Sequence, residues 1–289
     1  MPLFDRYIAV DWSANSRPKG GKDSIWIAER GSGDSVPSLN PQTRHAAISH
    51  LVERLEGALA AGERSFVGFD FPFGYPQGAA LRLAGRPTWA ALWAKIAEAI
   101  VDGEDNRSNR FAVAAQFNAQ LGDDGPRFWG CPVSAASDSL STHKLARFDA
   151  IAEFRAVEKV AKGAKATWQL FYNGAGGSQS LLGIAYLHRR RARFGAAVAV
   201  WPFEPDFERH LAAPIVLAEI YPSLDAHDPA VLPKDRAQVQ AQVARYSSLD
   251  AADRFVHALS LPQPFEPQRT TLAGEEGWIV GAGHVGLVA

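Results

Sequence analysis

The chain has 289 residues and is 47% hydrophobic, enough for a substantial core in one large domain or two small ones. Thirty Lys and Arg against 31 Asp and Glu leave a formal net charge of -1, which excludes a general electrostatic pull toward nucleic acid and confines any such binding to a local patch. A single cysteine, Cys131, excludes an internal disulfide and a multi-cysteine metal site. With no signal-like start and no membrane-length apolar run, the expectation is a cytoplasmic protein that does not engage a membrane.

In chain order, the apolar pattern predicts strands over 6–12 and 24–29, a short third strand near Val36, a helix over 42–61 and a strand over 66–71. The turn-rich residues 15–23 close the first two strands into an antiparallel hairpin, and hairpin, helix, strand in that order predicts a mixed sheet. From about 78 to 195 the strand signal fades. Helical stretches at 88–102 and 144–162 alternate there with glycine- and proline-containing loops, which reads as a largely helical insertion. Strands return at 197–203 and 215–221, helices follow at about 233–246 and 250–260, and 276–281 forms a final short strand or a packed turn.

Carboxylates interrupt several of these apolar runs. Asp11 ends Tyr7-Ile8-Ala9-Val10-Asp11, Asp70 ends Phe66-Val67-Gly68-Phe69-Asp70, and Glu219 lies near the end of Ile215-Val216-Leu217-Ala218-Glu219-Ile220-Tyr221. A buried carboxylate is costly unless a cation or donors compensate it, so acids at several strand ends suggest one shared site. Asp250-Ala251-Ala252-Asp253 opens what reads as the last long helix, with its two acids on one helical face and Asp253 turned to the core side. Acids from separate strands and a late helix suit a divalent-metal site for phosphate chemistry. Each also has a purely structural reading: Asp11 and Asp70 bonding the turns that follow, Glu219 pairing with an arginine, Asp250 capping its helix.

The segment Asn173-Gly174-Ala175-Gly176-Gly177-Ser178-Gln179 feeds an amphipathic helix. Its glycines and helix start make Gly176, Gly177, Ser178 and Gln179 candidates for holding a phosphate or cofactor, although the segment matches neither the Walker nor the dinucleotide pattern; the alternative is a flexible joint. The same helix ends in His188-Arg189-Arg190-Arg191-Ala192-Arg193, the one place where weak, local nucleic-acid binding is expected; the alternative is a solvated helix end. The eight histidines lack metal-ligand spacing, and nothing makes Cys131 a nucleophile.

Taken in order, Ile8-Ala9-Val10-Asp11, Val67-Gly68-Phe69-Asp70-Phe71-Pro72, Ala218-Glu219-Ile220-Tyr221-Pro222 and Asp250-Ala251-Ala252-Asp253 resemble the ribonuclease H-like superfamily, and within it a bacterial family of unknown function described as predicted RNase H-like nucleases. The segments Val200-Trp201-Pro202-Phe203-Glu204 and Glu276-Gly277-Trp278-Ile279 add to the likeness, which covers both ends of the chain and leaves the middle aside. The resemblance implies a single α/β domain over 1–289, with a mixed five-stranded sheet, helices on both faces and the insertion at about 78–195. It implies Mg2+ or Mn2+ as cofactor, with Asp11 and Asp70 as ligands, Asp253 as the ligand on the closing helix, and Asp250 or Glu219 as an auxiliary ligand or base. The activity it implies is phosphodiester hydrolysis, on a nucleic acid or a phosphorylated small molecule. Two alternatives stay open: an actin-like phosphotransferase with a nucleotide at the glycine-rich loop, and a non-catalytic module that binds a small anion on the same fold.

Overall fold

In a computed structural model, which describes residues 2–31, 33, 35–122, 126–145, 150–172, 174–208, 211–284 and 286, the chain is α/β with a mixed six-stranded sheet. The strands are β1 (Arg6–Asp11), β2 (Trp26–Arg30), β3 (Ser38–Leu39), β4 (Ser65–Phe69), β5 (Val198–Val200) and β6 (Ile215–Glu219), in the order β3-β2-β1-β4-β6-β5. β2 runs antiparallel to β1 and to β3, and β1, β4, β6 and β5 are parallel. The resemblance implied five strands, one fewer than the sheet has, while the apolar pattern predicted a strand over 197–203. The sixth is β5, a three-residue edge strand whose Val198 and Val200 complete one apolar face beside β6.

β4 is buried along its whole length, as a central parallel strand covered on both faces must be, and its sequence is correspondingly uniform in hydrophobicity. At Gly68 a Cβ would lie 2.5 Å from the Ile220 side chain, so only glycine lets the strand pass there.

One face of the sheet packs against α1 (Arg44–Ala60), α3 (Trp89–Ala99) and α6 (Gly177–Phe194). Thr43 caps α1 by accepting from the Ala46 amide at 3.2 Å, and Ile48, Leu51 and Leu55 form the stripe that meets the sheet. The opposite face packs against α7 (Lys234–Ala251) through Val239, Val243 and Tyr246, and against Phe255 of α8 (Phe255–Ala258). Between β4 and β5 the described elements are helical: α2 (Ala79–Ala84), α3, α4 (Arg110–Leu121), α5 (Ala156–Val160) and α6, with short 3-10 turns. Among the described residues, no helix is long and apolar enough to cross a membrane.

Two expected helices change. The stretch 144–162 is helical at Ala156–Val160, with residues 146–149 outside the described residues. Its start is set by Glu158, whose carboxylate accepts the Arg155 amide at 3.0 Å and caps the first turn. The expected helix from Asp250 does not start there. Asp250 lies in the last turn of α7, Asp253 takes a left-handed φ of 55° in the connection that follows, and α8 begins at Phe255. The tail forms a π-type turn over Leu272–Glu276, then a packed turn with one bridge between Ile279 and Glu219.

Candidate functional site

The parallel register fixes the centre of the site. Val10 pairs with Phe69, and the Asp70 amide donates to the Val10 carbonyl at 2.9 Å, so Asp11 and Asp70 stand side by side one step beyond the last paired residues. Side chains alternate along a strand, so both acids project to the face covered by α7, on which Ala9, Phe66 and Ile220 also lie. α7 begins at the same edge. Asp235, in its first turn, is the third acid, favoured there by the helix dipole and held by the Asp23 amide at 2.7 Å from Oδ2.

The two strand-end aspartates are both raised. Burial pushes Asp11 well above the usual carboxylate range, and the charges of Asp70, Asp235 and Asp23 push it further. Burial, Glu219 and Asp235 together raise Asp70 to about 7. Neither aspartate has an arginine or lysine at ion-pair distance among the described residues. The electrostatics are those of a negative cluster that lacks its cation.

Glu219 is separated from this pair. Its register partner is Phe69, so it projects to the opposite face of the sheet. There Arg155 Nη2 and Nη1 hold its carboxylate in a two-point ion pair at 2.6 and 2.8 Å, and the Phe73 amide adds a third donor at 3.0 Å. Arg155 also donates from Nε to Glu158 at 3.0 Å, and the Thr167 hydroxyl donates to the same Glu158 oxygen at 2.8 Å. Burial works against the Arg155 charge, but Glu219 and Glu158 more than offset it, and its pKa is raised. Glu219, expected as an auxiliary ligand or base, thus makes the arginine pairing that was its structural alternative.

Asp250 and Asp253 lie elsewhere. Asp250 accepts the Leu3 and Phe4 amides at 2.7 and 3.1 Å and the Tyr7 hydroxyl, all at the start of β1. It is fifteen positions after Asp235 on one helix, which places it on the order of 22 Å away at the opposite edge of the sheet. Asp253 is exposed just beyond it. Neither reaches Asp11 and Asp70, and the helical acid that does is Asp235. The sequence signal for Asp235 was a helix start at Pro233-Lys234-Asp235, which an argument from Asp-x-x-Asp spacing passes over.

Asp70 and Glu219 open onto a cleft of about 190 Å³ whose wall also includes Lys165, Tyr221, Gly176 and Gln179. Burial raises the Tyr221 pKa, and the Asp70 charge adds to it. The glycine-rich segment therefore borders the acidic cleft, with Asn173 outside the described residues. Gly177 and Ser178 do not line it. A Cβ on Gly177 would lie 2.4 Å from the Thr167 carbonyl oxygen, and its amide already donates to Gln169, so that glycine serves close backbone packing. Ser178 is buried and donates to the Leu170 carbonyl at 2.7 Å.

Three of the four arginines in the basic run at the other end of α6 are engaged with their own fold, and Arg190 is exposed. Arg189 donates to the Ala97 and Ile100 carbonyls, Arg191 pairs with Glu204 and Arg193 pairs with Glu56.

Whether the acids suit a divalent cation is a question of donor type and number. Carboxylate oxygens are the donors that Mg2+ and Mn2+ prefer, and the raised pKa values of two adjacent aspartates mark an unmet need for positive charge. Among the described residues no three His, Cys, Asp or Glu side chains form a ready cage. The fit is to a cation held by two carboxylates that completes its sphere with water and substrate oxygens, the usual habit of Mg2+. Comparison with known proteins yields no match to a family model, a curated protein or a solved structure.

Proposed function

We propose that this protein is a metal-dependent phosphodiester hydrolase on an RNase H-like fold, with Asp11 and Asp70 as its central pair and Asp235 in the place expected of Asp253. The observation that carries the reading is the pair itself: two carboxylates in register on adjacent parallel strands, facing a third, with no cation of the protein to neutralise them. The antiparallel-then-parallel sheet agrees with the resemblance in the sequence. Position at the carboxyl ends of the strands agrees with where open α/β sheets bind ligands.

In this reading Asp11 and Asp70 would hold Mg2+ or Mn2+, with Asp235 close enough to bond its waters. When bound, such an ion supplies an activated water and a Lewis acid for the phosphoryl oxygen. Asp70, raised to about 7 by burial, Glu219 and Asp235, would give up its proton to hold the ion, so the pair would be ready for a cation at and above neutral pH. Lys165 and the start of α6 face the cleft from the other side and would orient the phosphodiester. The Arg155–Glu219 pair keeps the cleft wall rigid.

The phosphotransferase alternative has less support, because the glycine it needs as a phosphate cradle, Gly177, is closed off by the Thr167 and Gln169 carbonyls. A non-catalytic anion-binding module would bind without turnover.

The test is hydrolysis of bis(p-nitrophenyl) phosphate with added Mn2+, together with Mn2+ titration by calorimetry. Asp11→Asn and Asp70→Asn are each expected to abolish turnover and weaken Mn2+ binding at least tenfold, and Asp253→Asn to change neither. Wild-type Mn2+ affinity in both aspartate variants would sink the reading.

A further inference from the structure

We propose that Arg110, with the row of rings Phe111, Phe171 and Tyr172 that starts at its guanidinium, forms a subsite for one nucleotide unit, its phosphate on the guanidinium and its base on the exposed rings; the proposal rests on the hydrolase reading only for the fate of the bound group.

Arg110 is a buried cation whose hydrogen bonds all go to neutral groups. Its Nε donates to the Ser178 hydroxyl at 3.2 Å, Nη1 to Ser108 at 2.9 Å and Nη2 to Ser16 at 3.1 Å. No carboxylate lies within ion-pair distance of it among the described residues. The contrast with the next buried arginine is direct, since Arg44 meets Asp102 at 2.6 and 2.7 Å in a two-point pair. Burial and the nearby Arg44 lower the Arg110 pKa to about 10, with Asp102 only partly offsetting them. A guanidinium has five N–H donors, and three are engaged here. The two remaining belong to Nη1 and Nη2, the half-buried end that bonds Ser16 and Ser108, where a phosphate would accept both.

The location ties this cation to the acidic site. Ser16 is in the loop that leaves β1 after Asp11, and Ser178 is next to Gln179, which lines the Asp70 cleft. An anion on Arg110 would therefore sit between the strand carrying Asp11 and the helix start that borders Asp70.

The rings supply the second half of the ligand. The Arg110 guanidinium lies 4.4 Å from the centre of the Phe111 ring, which Phe171 meets edge-on at 6.4 Å, and Tyr172 follows at 5.2 Å from Phe171. Phe171 and Tyr172 are 42% and 55% exposed, two adjacent large aromatic side chains open to solvent. Tyr172 also holds a φ of 77°, rare for a bulky residue, and its hydroxyl is pinned to the Thr142 carbonyl at 3.0 Å. A cation that lacks its anion, next to fixed rings open to solvent, is complementary to a phosphate joined to a planar base. With a net charge of -1 and Arg189, Arg191 and Arg193 of the α6 end engaged elsewhere, the surface suits one or two nucleotide units, free or at the end of a strand, rather than a long duplex.

The experiment follows a fluorescein-labelled short oligothymidylate by anisotropy in EDTA, so that binding is read without metal or turnover, with thymidine monophosphate and inorganic phosphate as competitors. Wild type should bind the oligothymidylate. The Phe171→Ala, Tyr172→Ala double variant, altered only at exposed side chains, should lose at least about tenfold in affinity, the scale of one base stack. Arg110→Lys should weaken competition by inorganic phosphate as well, with its melting temperature checked. Competition by the monophosphate as strong as by the oligomer identifies the free nucleotide as the source, and weaker competition identifies a strand end. The proposal is overturned if neither nucleotide probe binds, if the double alanine variant binds like wild type, or if an abasic oligomer binds as tightly as oligothymidylate. Mn2+ affinity of the double alanine variant separates the two readings. Mn2+ binding that depends on Asp70 together with ring-independent oligomer binding removes the subsite alone. Ring-dependent oligomer binding with no metal site removes the hydrolase reading alone.

Discussion

Two groups of carboxylates, one buried and one half-buried, meet at the same edge of the sheet and have opposite fates. On one face Glu219 and Glu158 share Arg155, and backbone amides or a hydroxyl occupy the oxygens that remain. On the other face Asp11 and Asp70 stand in register with no cation between them, and Asp235 and Asp23 add further negative charge. Burial alone therefore says little about function. What separates structure from chemistry here is whether the protein supplies the counter-charge itself.

The comparison breaks most visibly if Arg155 is removed. Arg155→Met leaves Glu219 and Glu158 buried without a partner, and loss of one member of such a pair costs about 3–5 kcal/mol. Urea unfolding should show a midpoint shift of that size. A loss below about 1 kcal/mol would mean that the network is not structural. Asp250→Ala tests the far edge. It strands the Leu3 and Phe4 amides at a cost of about 1–3 kcal/mol, leaves the Tyr7 hydroxyl with the Phe4 carbonyl, and should leave Mn2+ affinity unchanged. A fall in Mn2+ affinity with the fold intact would return Asp250 to the site.

Much of this arrangement could be read from the chain. Asp11 and Asp70 announce themselves because each ends a run of apolar residues, and a carboxylate in that context asks for an explanation. The strand positions and the cleft-side location of Gly176 and Gln179 follow from the same local patterns. Glu219 ends a similar run, yet its direction depends on the register between β4 and β6. A shift of one residue reverses the face, and nothing local records it. The helical acid was hidden for another reason. Asp235 and Asp250 both lie on α7, and only the tertiary packing decides which end of that helix meets the carboxyl ends of the strands. Arg110 carried no signal at all, since a cation lacking an anion is a relation among Ser16, Ser108 and Ser178 that the linear order does not show.

The smallest effect is also the one that most directly sharpens the contrast between the two faces. Asp70 is raised by burial, Glu219 and Asp235 to about 7, and Asp11 is raised as well, so without metal the folded protein holds protons that the unfolded chain has already released. The sign follows: where the folded state binds more protons than the unfolded state, stability falls as pH rises, here from the ordinary carboxylate range up through about 7. Asp70→Asn removes its own share of this decline and the Asp70 charge that adds to the rise at Asp11, while burial still holds Asp11 up. In EDTA the variant should melt like wild type at about pH 5 and higher than wild type at about pH 8, by roughly 2–4 °C for each kcal/mol recovered. Added Mn2+ should reverse the order, because the ion stabilises only a folded state that can bind it. Wild-type Mn2+ affinity should climb as pH passes through about 7 and Asp70 gives up its proton. Glu219→Gln, on the compensated face, offers the control: it loses an ion pair with Arg155, so it should melt lower than wild type at pH 8 with or without Mn2+. Parallel melting curves for Asp70→Asn and wild type across this pH range would mean that the aspartate pair carries no excess charge, and the distinction between the two faces would fall with it.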